Sequence, residues 1–148
     1  MRYSVMTPAM LAFCIYGCEH ETAPEKAVTG IFWEDGDSGE IDNIGFQLAN
    51  VDAPETGDAG ARDGAACEAE RDKGLAAVAY MQELTRNARL EITKEFGHDP
   101  FGRMVINLSA NGKDVAEIAI AAGHLRPWPY ENGKPLTAKP DWCAIASE

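Results

Sequence analysis

From Ala27 to Ala61 the chain carries no lysine or arginine, while Glu34, Asp35, Asp37, Glu40, Asp42, Asp52, Glu55 and Asp58 all fall inside that stretch. Crowded like charges repel, so a fold that draws these side chains together needs something to neutralise them. A hard divalent cation with oxygen ligands is the physical candidate. Four of the carboxylates sit in two short clusters, Asp35-Gly36-Asp37-Ser38 and Val51-Asp52-Ala53-Pro54-Glu55, joined by what reads as a β-hairpin. Most acidic runs are simply solvated loops. The second cluster is not loop-like: Phe46, Leu48 and Val51 are apolar, and Pro54 stops the strand they form.

The rest of the chain reads as a single small domain. Strands are predicted over residues 28–33, 41–44, 46–51, 90–96 and 104–108, with Asp42-Asn43 and Asn111-Gly112 as turns. A Gly/Ala-rich loop over 57–64 leads into a helix. Leu75, Val78, Met81 and Leu84 recur there at three-residue spacing and are expected to face the core. A second helix is predicted over 115–122, started by Asp114 and Glu117 in the manner of a capping box and closed by Gly123. The tail over 127–143 holds four prolines and is expected to be irregular. At 148 residues and 45% hydrophobic content the chain can bury one ordinary core. Pattern alone supports a small α+β or β-barrel domain and no more.

Three motifs in order carry a resemblance: Asp35-Gly36-Asp37-Ser38, then Val51-Asp52-Ala53-Pro54-Glu55, then Phe101-Gly102-Arg103. Together, at this spacing, they resemble the staphylococcal-nuclease (thermonuclease) family over residues 28 to 130. The resemblance implies an α+β fold, an OB-type five-stranded β-barrel with about three helices. It also implies a calcium-dependent phosphodiesterase acting on DNA or RNA, with no cofactor beyond the metal and a monomeric state. Carried over residue by residue, Asp37 and Asp52 match the metal-binding aspartates, and Ala53 matches the position that lends a backbone carbonyl. Glu55 matches the glutamate that positions or activates the attacking water, and Arg103 matches the second of two phosphate-clasping arginines. Asp35 would be an outer partner that fixes the ligands. A surface salt bridge is the ordinary alternative for Arg103, less expected for an arginine directly after Phe101-Gly102 and ahead of an apolar strand.

The departures matter more than the matches. The position of the first arginine is Gln47, which can donate hydrogen bonds but has neither charge nor a bidentate fork. Losing a preorganised charged donor at a phosphoryl site costs about 10²–10⁵ in rate. Phe101 stands where the family has a tyrosine, keeping the ring without the hydroxyl. Arg62 and Arg126 are the basic residues considered as substitutes. The formal charge of −11 also disfavours a high-affinity nucleic-acid binder, because that affinity is mostly phosphate neutralisation by Lys and Arg. Two readings follow: a weakened exported nuclease, and a catalytically inactive barrel kept as a binding module. Trp128 and Tyr130 beside Arg126 could stack bases, although such aromatics more often close a barrel end.

Residues 1–18 read as an export segment. Arg2 is the only charge before Glu19, and the apolar run is too short to span a bilayer. Ile15-Tyr16-Gly17-Cys18 resembles a bacterial lipoprotein cleavage box with Cys18 as the lipid attachment site, which implies a periplasmic, membrane-anchored or secreted protein. Tyr16 fits that box poorly, Cys14, Cys18 and His20 make a poor zinc motif, and a disordered or core-packed N-terminus is the alternative. Residues 19–26 read as a tether and 27–148 as the domain. Cys67 and Cys143 then remain, either as a disulfide in an oxidising compartment or as two buried thiols.

Overall fold

The computed structural model describes residues 26–144, so the export segment, Cys14, Cys18 and nearly all of the tether lie outside the described residues. The chain forms β1 (Lys26–Ala27), β2 (Ile31–Trp33), β3 (Ser38–Ile41), β4 (Ile44–Leu48), β5 (Val51–Asp52) and helix α1 (Glu68–Thr85). There follow β6 (Leu90–His98), β7 (Met104–Ala110), β8 (Lys113–Asp114), α2 (Val115–Ala121), β9 (Arg126–Pro127), β10 (Tyr130–Glu131) and β11 (Lys134–Pro135). The main sheet runs β1-β6-β7-β4-β3-β2 with β8 on β7, and β4 and β7 are its one parallel pair. The β6–β7 ladder slips register after Ile92 and again after Glu95. Irregularities of that kind bend a strand and sharpen its twist. The outcome is an α+β molecule on a curled mixed sheet, half of a barrel, with two helices among the described residues.

Local chemistry accounts for the turns. Asp42 and Asn43 both have positive φ, 51° and 66°, the two-residue geometry that matches hairpin twist and that Asp and Asn tolerate. The expected strand over 46–51 is interrupted at Asn50 (φ 60°). Val51 and Asp52 leave the main sheet there and pair with Pro127 and Arg126 of β9. This switch turns Asp52 away from the line of β4. The third helix of the expected set is not among the described residues, where the proline-rich tail instead forms the β10–β11 ribbon.

The core gathers Trp33, Ile41, Phe46, Leu48 and Val51 with Met81, Ile92, Ile106, Leu108, Val115 and Leu125. Helix α1 enters it on a face that keeps Met81 of the expected stripe, fully buried, and is rotated away from Leu75. Leu75 is 47% exposed, and the buried positions are Glu70, Gly74, Ala77, Met81 and Thr85. Val78 and Leu84 are only partly buried at the core margin. Close approach is the reason. A Cβ on Gly74 would lie 2.8 Å from the Pro54 carbonyl oxygen and nearer still to that of Glu55, and one on Gly36 would lie 2.8 Å from the Ala77 Cβ. A helix seated this tightly on backbone must present small side chains, whatever its leucines favour.

Helix α2 starts as expected. The Asp114 carboxylate accepts hydrogen bonds from the Ala116 and Glu117 amides at 2.8 and 3.0 Å, and Gly123 closes the far end with φ 81°. Cys67 caps α1 and is disulfide-bonded to Cys143, which ties the tail to the start of that helix across 76 residues of sequence.

Candidate active site

Asp37 lies at the bend that opens β3. Its own carbonyl accepts from the Leu48 amide at 2.7 Å, and its Oδ2 accepts from the Ala53 amide at 3.0 Å. These two bonds lash the first acidic cluster to the second. Asp37 as a residue is only partly buried, yet its carboxyl group is desolvated, and burial pushes its pKa from 3.8 up to about 7. The Asp52 charge adds to the rise, while hydrogen bonds from the Gln47 side chain and the Ala53 amide hold it back. Asp52, 4% exposed, is also raised, first by burial. Burial and the Asp52 charge thus both disfavour an ionised Asp37, while Asp52 itself is partly compensated by Trp142 and Lys139.

Gln47 is placed for this contact by register. It sits opposite Ser38 on β3 and Val105 on β7, and its side chain turns to Asp37. Asp35 makes its hydrogen bonds elsewhere, accepting from Thr56 Oγ1 at 2.6 Å and Ser38 Oγ at 3.5 Å. It thereby ties the chain just after Glu55 to the first cluster. Ala53 is buried, and its amide contacts Asp37.

Glu55 is set by the start of α1. Its amide donates to Oε1 of buried Glu70 at 3.4 Å, and Oε2 of Glu70 accepts from the Ala66 amide at 2.8 Å. A carboxylate in the first turn of a helix is stabilised there by the unpaired amides. Glu55 and Arg103 line one cavity of about 710 Å³, together with Phe101, Lys139 and Trp142. Arg103 is oriented by the turn before β7. Its amide and Nε both donate to Asp99, at 2.9 and 2.7 Å, and its guanidinium lies over the Phe101 ring at 5.6 Å. Asp99 is held below the usual carboxylate range because the Arg103 bonds outweigh its burial. The salt bridge uses Nε and so positions the arginine's fork rather than consuming it.

Sequence reasoning missed two members of the site. Lys139 Nζ donates to Glu55 Oε1 at 2.8 Å and lies 3.5 Å from Asp52 Oδ1. Trp142, 3% exposed, donates from Nε1 to Asp52 Oδ2 at 2.7 Å. The nearest signal was Trp142 beside Cys143, since an indole next to a bridged cysteine marks a tail that is docked rather than free. The arginines considered as substitutes lie elsewhere. Arg62 is exposed and does not line the cavity, and Arg126 donates to the Asp141 carbonyl and stacks over the Trp142 ring. Trp128 and Tyr130 pack edge to face at 4.8 Å, with the indole of Trp128 donating to the Thr137 carbonyl. Their role here is to seat the tail.

The donors at Asp37 and Asp52 are oxygens, the set a hard cation such as calcium selects. Among the described residues no group of three or more His, Cys, Asp or Glu side chains is gathered closely enough to hold a metal ion. An ion held by Asp37 and Asp52 would draw its other ligands from backbone carbonyls and water. No protein-family model matches the chain, and no curated protein matches it.

Proposed function

We propose that the half-barrel belongs to an OB-type five-stranded barrel of the staphylococcal-nuclease kind, and that the protein is a calcium-dependent phosphodiesterase acting on DNA or RNA. The observation that carries this reading is the carboxylate pair Asp37–Asp52 beside a cavity lined by Glu55 and Arg103. A pure binding module gains nothing from buried carboxylates that repel each other. The cation would neutralise that pair and polarise a phosphoryl oxygen. Asp37 and Asp52 would hold it, with Ala53 as the assigned backbone donor and Asp35 supporting the segment around Thr56.

Glu55 takes the water-activating role, its backbone fixed by Glu70 so that its carboxylate faces the cavity. Arg103 clasps the phosphate, since a guanidinium already oriented through Nε meets a phosphate with little further ordering. Phe101, 85% exposed on the cavity rim, offers a face on which a base can stack. Export fits the joined Cys67 and Cys143, a pairing at home in an oxidising compartment. Glu55→Gln keeps the size and hydrogen bonding of the side chain and removes its basicity. It is expected to lower calcium-dependent cleavage of denatured DNA by at least about 10² while leaving calcium uptake intact. Full activity in that variant would remove Glu55 from the mechanism.

A second reading, an inactive barrel retained for binding, is favoured by two observations. Both oxygens of Asp52 are engaged by the tail, and the neutral Gln47 leaves the site poor in phosphate-binding charge.

A further inference from the structure

The ammonium of Lys139 bridges two carboxylates, Glu55 at 2.8 Å and Asp52 at 3.5 Å. An exposed lysine paired with one surface acid contributes little. This one reaches a buried partner, and the backbone that carries it is pinned on both sides. On one side the Thr137 carbonyl accepts from Trp128 Nε1 at 3.1 Å. On the other the Asp141 carbonyl accepts from Arg126 at 2.7 Å, the Trp142 carbonyl accepts from Lys73, and Cys143 is bonded to Cys67. The tail therefore delivers the amine to the acidic site and keeps it there, while the lysine side chain, 45% exposed, retains room to swing out.

We propose that Lys139 is an internal cation of this site, standing between Asp52 and Glu55 and setting how tightly calcium binds there. The inference rests on the calcium-dependent reading above. Its physical basis is charge. An ammonium within 3.5 Å of Asp52 neutralises part of the field that attracts a dication and repels the ion once it arrives. It also holds Oδ1 of Asp52, the oxygen that Trp142 does not take. Calcium binding then requires the lysine to turn away, while the disulfide-anchored tail stays in place. Burial works against the ammonium's charge, but Glu55 and Asp52 more than compensate and hold it above the usual lysine range.

The test is calorimetric calcium titration of the full chain beside Lys139→Met and Lys139→Arg, with thermal unfolding of each in chelator and in calcium. Met keeps the aliphatic stem and removes the charge. Lys139→Met is expected to bind calcium at least about tenfold tighter than the wild type, with Lys139→Arg close to wild type. Its melting temperature is expected to be lower in chelator and to gain more on adding calcium. Should Lys139→Met fail to fold without metal, Lys139→Gln provides the same comparison. Equal or weaker calcium binding in the uncharged variants, or no uptake by any of the proteins, overturns the proposal. Tighter binding without any DNA cleavage would retain it and sink the nuclease reading alone. Calcium-dependent cleavage with unaltered affinity would do the reverse.

Discussion

The indole of Trp142 donates to Asp52 Oδ2 at 2.7 Å across 90 residues of sequence, and both side chains are buried. The C-terminal tail is thus part of the acidic site. A disulfide at Cys143, one residue on, fixes the indole where it can satisfy a carboxylate that burial would otherwise penalise.

Trp142→Phe keeps a large ring but leaves Asp52 Oδ2 without its donor. The expected cost is about 1–3 kcal/mol of stability, the desolvation penalty of an unpaired buried polar group. Urea unfolding of the metal-free protein measures it. A loss below the error of that measurement would mean that the bond contributes nothing.

The Asp37 carboxyl gives the metal-free protein a pH signature. Its folded-state pKa, about 7, lies above the unfolded value of 3.8, so the native state binds the proton more tightly. The corresponding stability is fully present below pH 3.8 and is lost as pH rises toward about 7. Unfolding in chelator across that range is expected to show this decline, and Asp37→Asn is expected to flatten it. Calcium should reverse the trend at neutral pH by replacing the proton with a cation. A flat profile in the wild type would show that neither burial nor the Asp52 charge raises the Asp37 carboxyl in the folded protein.

Gln47 contacts Asp37 from the middle of the sheet, between β3 and β7. An arginine there would bring positive charge to the pair and a fork for phosphate. Gln47→Arg is expected to raise the calcium-dependent cleavage rate at least about tenfold, a fraction of what such a donor is worth at a phosphoryl site. Steady-state rates at saturating calcium check it. No gain with calcium binding intact would show that position 47 does not face the reacting phosphate.

The parts of this fold that were legible in the sequence are those set by local backbone chemistry. Asp42-Asn43 and Asn111-Gly112 announced turns because those residues tolerate positive φ, and all four adopt it. Asp114 announced the start of α2 because its side chain can cap amides. What local pattern could not give was set by approach over distance. Apolar spacing on α1 pointed to Leu75, but the close seat against Pro54 and Glu55 selected Gly74 and Ala77. The exit of Val51 and Asp52 from the main sheet depends on β9, more than seventy residues away. Lys139 carried no signal, since a lysine in a proline-rich tail reads as solvated. Its pairing with Glu55 spans 84 residues.

The most direct test of a cation-dependent site at Asp37 and Asp52 is a low-salt cleavage assay of the full chain on denatured DNA. It is run with calcium, with chelator, and with Asp37→Ala beside the wild type. The expected result is cleavage that requires calcium and disappears in Asp37→Ala. Cleavage that persists in chelator or in Asp37→Ala, or no cleavage by a folded protein that binds calcium, would contradict the account.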